Sequence, residues 1–435
     1  MRTGQELYKK AKKLIPGGTM LLSKRPEMFL PENWPSYYSR AKGCSVWDLD
    51  GNKYTDVSIM GIGTNILGYA NDEVDEAVIQ TVRNGNMSTL NCPEEVMLAE
   101  KLVELHPWAD MVRLARSGGE ANAIAIRIAR AACGKDKVAI CGYHGWHDWY
   151  LSANLSDDVN LDGHLLPGLQ PNGVPRNLKN TVFPFNYNDY EGLEKLVSQQ
   201  DIGIIKMEVS RNKGPENNFL GKVRKLATDK NIVLIFDECT SGFRQTFGGL
   251  HKMYGVEPDM AMFGKALGNG YAITAVIGKR EIMEAAQKTF ISSTFWTERI
   301  GPTAALKTLE VMKREKSWEY ITETGKYIGK MWQRIADENR LSIKIFGLPA
   351  LTGFSFNYDN NLKYKTLITQ EMLKKGYLAA NSVYVSIFHT KAIIDEYLNK
   401  LNEVFAVIER CEDNQLGIDE LLEGPVCHAG FKRLN

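Results

Sequence analysis

Short apolar runs alternate with helical segments through the middle of the chain, and this alternation restricts the possible folds more than any other feature of the sequence. Between residues 120 and 132, Ala121, Ile124, Ala125 and Ile128 recur at the spacing of one helix face. Helices are predicted over residues 72–82, 93–105 and 120–132. The apolar runs, each as long as a buried strand, are 111–115, 138–141, 202–207, 232–236, 260–263 and 274–277. Strands joined through helices predict crossover connections, and therefore an α/β fold with a mostly parallel sheet covered by helices.

The two ends of the chain follow a different pattern. A short helix over residues 4–14 precedes a hairpin whose turn is Asp50-Gly51. Beyond residue 312 we expect helices over 317–337, 364–375 and 391–410, and strands near 343–345, 352–356 and 383–387. The predicted organisation is an N-terminal segment (1–65) that packs with a small α+β domain (313–410), a large domain (66–312), and an appended tail (411–435).

Composition excludes several classes of function. With 44% hydrophobic and 24% charged residues, the chain of 435 residues has the make-up of a globular protein. The 53 Lys and Arg residues nearly balance the 52 Asp and Glu residues, so no net field attracts nucleic acid or an anionic membrane. The N-terminus has no apolar signal-peptide core, and no stretch reaches the roughly 18 apolar residues of a membrane span. We expect a cytoplasmic protein without nucleic-acid or membrane partners.

The seven cysteines are widely spread and form no CxxC pair. An odd number at such spacings indicates reduced thiols rather than a disulfide framework or a zinc site. His144 and His147 lie close together, but no acid or thiolate stands near them at ligand spacing. No bound metal is therefore expected.

Two apolar strands lead directly into residues that suit chemistry. The run 232–236 delivers Asp237 at its carboxyl end, which is the edge where parallel sheets bind ligands. The run 260–263 leads to Gly264-Lys265, with further glycines that let a ligand approach the backbone. A single lysine is usually a solvated surface residue. Apolar surroundings disfavour an unpaired ammonium, however, and so suit Lys265 to forming an imine with an aldehyde.

Two loops complete the set. Ser117, Gly118 and Gly119 precede the helix of residues 120–132, where exposed backbone N–H groups favour an anion. A simple capping turn is the alternative interpretation of these small residues. The loop of residues 141–147 is rich in aromatic side chains that can cover a flat heterocycle. A lysine for an imine, an acid for a pyridinium nitrogen, amides for a phosphate and a ring for stacking together describe a pyridoxal 5′-phosphate (PLP) pocket.

From residue 2 to about residue 410 the chain resembles the class III, fold-type I aminotransferases, and most closely the glutamate-1-semialdehyde 2,1-aminomutase group. The segments that carry this resemblance are ELYKKAKKLIPGG, GCSVWDLDGNKYTD, ILGYANDEVDEAV, MVRLARSGGEANAIAIRIAR, CGYHGWHD, IVLIFDECTSGFR and GVEPDMAMFGKALGNG. The resemblance implies PLP as cofactor and a fold-type I transferase with a large PLP-binding domain and a small α+β domain.

The resemblance also implies roles for individual residues. Lys265 matches the Schiff-base lysine of the family, and Asp237 matches its pyridine-nitrogen acid. The other positions matching cofactor-binding segments are Ser117, Gly118 and Gly119 in the phosphate turn, Tyr143 stacked on the ring, the adjacent His144, and Glu208 just after a strand.

One further cofactor contact is expected from a second subunit. The family takes a phosphate-binding threonine from the partner, before an Asn-Pro. Counting back from Pro302 selects Thr297, whereas the local Thr-Phe match selects Thr294. Both remain candidates, and the shared site implies a homodimer.

Two departures concern the substrate. The segment 376–384 is shorter than the aminomutase gating loop and carries no acid, and the substrate-carboxylate arginine is matched only loosely by Lys24 and Arg25. The predicted function is transfer of an amino group from an amino donor to a small carbonyl acceptor, with a sugar or a specialised-metabolite precursor as candidate acceptor. Glutamate-1-semialdehyde 2,1-aminomutase is the alternative. A PLP-binding regulatory or carrier protein without catalysis is a third.

Overall fold

The computed structural model describes residues 3–164, 167–210 and 212–430. The described helices are α1 (Thr3–Leu14), α2 (Met60–Gly63), α3 (Asp72–Arg83), α4 (Pro93–Leu105), α5 (Gly118–Cys133), α6 (Asp148–Leu151), α7 (Tyr190–Gln199), α8 (Phe219–Asp229), α9 (Arg280–Met283), α10 (Ile300–Glu315), α11 (Ser317–Glu338), α12 (Asn361–Lys374), α13 (Lys391–Glu412) and α14 (Ile418–Leu421). The described strands are β1 (Tyr38–Lys42), β2 (Ser45–Asp48), β3 (Lys53–Asp56), β4 (Met111–Ala115), β5 (Lys137–Cys141), β6 (Val182–Pro184), β7 (Ile202–Glu208), β8 (Val233–Asp237), β9 (Met260–Phe263), β10 (Thr274–Gly278), β11 (Ile343–Phe346), β12 (Leu351–Phe356), β13 (Tyr377–Leu378) and β14 (Ser382–Tyr384). None of the helices described has both the length and the apolar character that crossing a bilayer requires.

Residues 72–318 form one of two compact units, built on a seven-stranded sheet. The strand order is β4-β10-β9-β8-β7-β5-β6. The strands from β9 to β6 run parallel, whereas β10 is antiparallel to both β9 and β4. Every residue of β7 and β8 is buried, so these central strands are covered on both faces. The predicted α/β fold with a mostly parallel sheet is confirmed.

Helix α5 follows β4 and packs on one face of this sheet. Ser117 and Glu120 form a capping box at its start, and Gly134 ends it in the left-handed conformation with φ 66°. The apolar face predicted from the sequence is buried, since Ile124 and Ile128 join a core cluster with strand residues such as Val233. The start of α5 therefore lies at a fixed place on the edge of the sheet.

The second compact unit consists of residues 3–71 and 319–430. Its two sheets have the orders β1-β2-β3-β13 and β11-β12-β14. The predicted hairpin is confirmed: β2 and β3 pair antiparallel, and the Asp48 carboxylate accepts from the backbone N–H groups of Asp50 and Asn52 in the turn. The parallel pairing of β13 with β3 joins the two ends of the chain in one sheet.

The residues beyond α13 lie against α12. The Gln370 side chain donates to the Leu421 carbonyl oxygen over 2.9 Å, and the Cys427 backbone N–H donates to Thr366 Oγ1 over 3.0 Å. Helix α13 itself continues to Glu412, with Cys411 buried. The segment that the sequence sets apart as a tail is thus hydrogen-bonded to this unit as far as Cys427.

Candidate active site

Asp237 is the last residue of β8 and its side chain is buried. In the parallel ladders it pairs with Glu208 of β7 on one side and with Met262 of β9 on the other. Residues that pair across a sheet point to the same face, so these three side chains lie together. Glu238 points to the opposite face, where it accepts from His251 Nδ1 over 2.7 Å. The two neighbouring acids therefore serve different parts of the molecule.

The Asp237 carboxylate lies among polar groups of the described residues. Its Oδ2 lies 2.9 Å from His144 Nδ1 and 3.8 Å from Lys206 Nζ, and its Oδ1 accepts from the Cys239 backbone N–H over 3.1 Å. Burial alone would raise the pKa of this carboxyl, but Lys206 and His144 outweigh burial and hold the pKa well below its usual value. Asp237 is therefore ionised at neutral pH.

His144 is held by this carboxylate. Burial lowers the pKa of the imidazole to about 4, although the hydrogen bond to Asp237 opposes the shift. The ring is therefore neutral at neutral pH and donates its Nδ1 proton to Asp237. Its Nε2 is buried and has no hydrogen-bond partner among the described residues. A hydrogen-bond donor on a bound group could use this nitrogen as its acceptor.

Lys265 lies just beyond the carboxyl end of β9 with φ 45°, a strained conformation for a residue other than glycine. Its Nζ donates to Thr240 Oγ1 over 2.7 Å. Because Thr240 follows Asp237 by three residues, this bond brings the amine to the edge of the sheet that carries the acid. A Cβ on the preceding Gly264 would stand only 3.0 Å from Thr274 Cγ2, so a larger residue would crowd the turn.

The segment predicted to bind the phosphate forms a capping box, as the alternative interpretation expected. Its role in binding a phosphate stays a prediction. Glu120 Oε2 accepts from the Ser117 N–H over 2.8 Å, and Ser117 Oγ accepts from the Glu120 N–H over 3.4 Å. The capping bonds use the amides of Ser117 and Glu120 and leave aside those of Gly118 and Gly119. These two amides belong to the first helical turn, which has no intrahelical acceptors for them.

The space around the two glycines differs. A Cβ on Gly119 would lie 2.7 Å from His147 Cε1, whereas a Cβ on Gly118 would have no atom within 4 Å. The turn is therefore tightly packed on one side and open on the other. Such an opening beside backbone N–H groups at a helix start can receive a phosphate.

Glu208 positions the aromatic loop. Its Oε2 accepts from the Tyr143 backbone N–H over 3.1 Å. The preceding Gly142 has φ 112°, and a Cβ there would lie 2.5 Å from the same Glu208 oxygen. The Tyr143 ring meets Tyr150 edge to face, with centroids 6.1 Å apart. The acid that the resemblance places close to the cofactor thus fixes the backbone of the residue expected to stack on the ring.

Thr294 and Thr297 occupy an exposed 3₁₀ turn, in which Thr297 Oγ1 donates to the Thr294 carbonyl oxygen over 2.8 Å. Trp296, between them, donates to Glu120 Oε1 over 3.2 Å. The turn therefore lies beside the start of α5 in the same chain. Whether either threonine contacts a cofactor bound by a partner stays a prediction.

Lys24 and Arg25 lie in the other compact unit, at a short 3₁₀ turn over Leu22–Lys24. The Arg25 guanidinium lies against Gly17, where a Cβ would collide with it. Their predicted role in holding a substrate carboxylate stays a prediction.

Two residues of the site were missed from the sequence. Lys206 stands within the apolar run of β7, and Thr240 is an ordinary residue of a loop. A lysine amid a buried-strand pattern is a signal that could have been used. The threonine gives no signal, because its contact with Lys265 depends on how two loops meet.

The residues present fit PLP. The buried acceptor on His144 and the ionised Asp237 suit the ring, and the open side of Gly118 suits the phosphate. The amine of Lys265 suits the aldehyde. Tyr143 and Glu208 stand at the same strand edge. This combination agrees with the cofactor predicted from the sequence.

Comparison with known proteins gives the same answer. The profile of the family described as Aminotransferase class-III matches residues 31–408. The chain is 36% identical over 393 residues to 3-aminobutyryl-CoA aminotransferase of Cloacimonas acidaminovorans, covering 88% of this chain and 90% of that protein. It is 30% identical over 438 residues to glutamate-1-semialdehyde 2,1-aminomutase of Methanocaldococcus jannaschii, covering 94% and 99%.

Solved structures agree on the fold. The PLP form of the FumI protein of Sphingopyxis sp. MTA144 superposes with a TM-score of 0.85 at 23% identity, covering 96% of this chain and 99% of that one. An omega-transaminase from Sphaerobacter thermophilus gives a TM-score of 0.81 at 22% identity, covering 94% and 98%. The fold is that of the fold-type I PLP enzymes. The chain belongs to the class III aminotransferases, and it is a PLP-dependent aminotransferase.

Proposed function

We propose that Lys265 forms the Schiff base with PLP and that the enzyme moves an amino group from an amino donor to a small carbonyl acceptor. The observation that carries this proposal is that the lysine amine and the aspartate lie at the same edge of the sheet, at the carboxyl ends of β9 and β8. Thr240 accepts a hydrogen bond from the Lys265 amine, and Asp237, three residues before Thr240, is buried and ionised. An amine for an aldehyde and a carboxylate for a ring nitrogen are the pair that this chemistry needs.

Each residue then has a task. PLP, when bound, supplies an aldehyde that takes up amines and a ring that accepts the electron pair released at the neighbouring carbon. Asp237 would hold a proton on the ring nitrogen, and His144 holds Asp237 in place through its Nδ1 proton. The amides of Gly118 and Gly119 would bind the phosphate, and Tyr143 would cover the ring.

Lys265 also handles the proton. With PLP bound, the neutral Lys265 amine would act as the base that takes a proton from the substrate carbon and as the acid that gives it back, so one residue would serve both transfers. Thr240 Oγ1, which accepts from Lys265 Nζ over 2.7 Å, would keep the amine at this position.

The relatives suggest which acceptors to test. One relative, 36% identical, is named for 3-aminobutyryl-CoA, so a 3-oxoacyl thioester is a reasonable first acceptor. Modified sugars and specialised-metabolite precursors, expected from the sequence, complete the panel. Amino-donor identity is tested in the same way, by the absorbance change that each amine produces.

The aminomutase is the second candidate, since several relatives with 30–32% identity carry that name. An aminotransferase given an amino donor alone should release one equivalent of keto product per site and accumulate pyridoxamine phosphate. An aminomutase should instead convert glutamate-1-semialdehyde without any co-substrate. Stopped-flow absorbance and product analysis distinguish the two activities. Conversion of the semialdehyde without release of an intermediate would favour the aminomutase.

A homodimer with shared sites is part of the proposal. Phe290 and Phe295 flank the segment of Thr294 with exposed fractions of 83% and 70%. Two large aromatic rings left in water near a cofactor-binding turn suit a surface that a second copy covers.

Mixed dimers test this arrangement. One chain would carry Lys265→Ala, and the other would carry Thr294→Ala with Thr297→Ala. If the threonines act across the interface, one site of each mixed dimer has both lesions and the other has none, so about half of the wild-type activity should return. Threonines that serve their own subunit would leave both sites damaged, and co-expressed chains would then be no more active than the separate variants.

A further inference from the structure

Lys206 is a lysine in a position built for an apolar side chain. It lies between Ile205 and Met207 in β7, and none of its surface is exposed. In the sheet it pairs with Ile140 of β5 and with Ile235 of β8. Paired residues share a face, so its stem packs among isoleucines. Burying an ammonium in such a layer is costly unless an opposite charge compensates it.

The Lys206 ammonium lies beside a thioether and a carboxylate. Its Nζ lies 2.9 Å from Met262 Sδ and 3.8 Å from Asp237 Oδ2. A thioether is a weak acceptor, so the ion pair with Asp237 is the stronger of the two interactions. The other titratable groups facing this point are Glu208 on its own strand, Cys239 beyond β8 and the neutral His144. Burial lowers the pKa of Lys206, and the carboxylate of Asp237 opposes this shift.

The charges around Asp237 differ with and without the cofactor. Asp237 pairs in register with Glu208 at the buried edge of the sheet. Lys206 supplies one positive charge, and a protonated ring nitrogen, which rests on the proposed function, would supply another. Among the described residues, Lys206 is the cation within 4 Å of the Asp237 carboxylate. With the cofactor bound, the ring nitrogen would be a second cation at the same carboxylate.

We propose that Lys206 is a positioning residue that keeps Asp237 ionised and oriented before PLP arrives and then shares that carboxylate with the ring nitrogen. The first consequence concerns the cofactor-free protein, where removing Lys206 leaves a buried carboxylate without its cation. The second concerns the enzyme with PLP bound. There, removal of a nearby positive charge should raise the pKa of the bound cofactor, because its protonated form is no longer repelled by that charge.

The cofactor-free protein is tested with a double-mutant cycle. Lys206→Met, Asp237→Asn and the double variant are unfolded in denaturant after removal of PLP. The cost of Lys206→Met should be smaller in the Asp237→Asn background, with a coupling of about tenfold or more in the unfolding equilibrium constant. Ile235→Met is the matched control, because it changes packing in the same layer without changing charge. Its effect should be the same in both backgrounds.

The PLP-bound protein is tested by spectroscopy. The pH midpoint of the imine absorbance change should rise by about half a pH unit or more in Lys206→Met. Ile235→Met should keep the wild-type midpoint. If Lys206→Met does not fold, Lys206→Arg retains the charge and should keep the midpoint of the wild type, and a shifted midpoint in that variant would overturn the proposal.

The outcomes separate this inference from the proposed function. Additive unfolding energies, or an unchanged midpoint in Lys206→Met, would show that Lys206 only fills space. Borohydride reduction of the wild type followed by peptide mapping reports independently on Lys265. Absence of a pyridoxyl adduct there would sink the proposed function, while the cycle in the cofactor-free protein would still decide the role of Lys206.

Discussion

Lys265→Ala is expected to abolish the imine absorbance of the PLP-bound protein and to lower turnover by about four orders of magnitude. The variant loses the amine that would be tied to the cofactor and, with it, the base that moves the substrate proton. It should still bind PLP, because the phosphate turn, Asp237 and the aromatic loop are unchanged. Absorbance spectra with and without an amino donor measure the first effect, and steady-state rates measure the second.

The control for this variant is a lysine outside the site. Lys225→Ala removes a lysine whose side chain is 76% exposed on α8, where it pairs with Asp229. This variant should keep the spectrum and the rate of the wild type. Peptide mapping after borohydride treatment should locate the pyridoxyl group on Lys265 in both the wild type and the control. A Lys265→Ala enzyme with full activity would refute the assignment.

The parts of the fold that the sequence predicts well are those whose burial repeats. The apolar runs of β7, β8 and β9 occur where expected, because strands covered on both faces need uninterrupted apolar side chains. Helix α5 matches its 3.6-residue pattern because one of its faces is buried in the core. The direction of β10 did not follow from its residues, since an apolar run looks the same in a parallel and in an antiparallel strand.

The site divides in a similar way. The positions of Asp237 and Lys265 are predictable because each lies at or just beyond the carboxyl end of a buried strand, and the ends of neighbouring parallel strands meet. Contacts made between loops are not predictable, as Thr240 with Lys265 and His147 with Gly119 illustrate. In the proposed homodimer, the choice between Thr294 and Thr297 would depend on a second subunit, whose geometry the sequence of one chain does not give.

Some predictions remain open for a physical reason. Lys24 and Arg25 belong to a different compact unit from Asp237, and their role in holding a substrate stays a prediction. The cytoplasmic location and the identity of donor and acceptor also stay predictions. Solvent-facing and substrate-facing residues follow no internal periodicity, whereas core residues do.

Asp237→Asn is expected to retain part of the PLP but to slow removal of the substrate proton by about 10²-fold to 10³-fold. The amide has nearly the size of the carboxylate and can still accept from His144 Nδ1, so the ring and the loop should keep their places. It carries no charge, however, and a neutral group does not hold a proton on the ring nitrogen. Electrons released at the substrate carbon are then less well accepted. The rate of the first half-reaction, followed by absorbance with an amino donor alone, measures the effect.

The neighbouring acid, Glu238, is the matched control, because it is also buried but its side chain points to the opposite face of the sheet. Glu238 accepts from Ser241 Oγ, from the Leu250 N–H and from His251 on the other face of the sheet. Glu238→Gln should therefore lower the denaturant midpoint of unfolding and leave the half-reaction rate of the folded enzyme within about twofold of the wild type. Asp237→Asn should instead slow the half-reaction by about 10²-fold to 10³-fold. Equal half-reaction rates in Asp237→Asn and the wild type would mean that the ring nitrogen does not depend on this carboxylate. The proposed role of Asp237 would then be wrong.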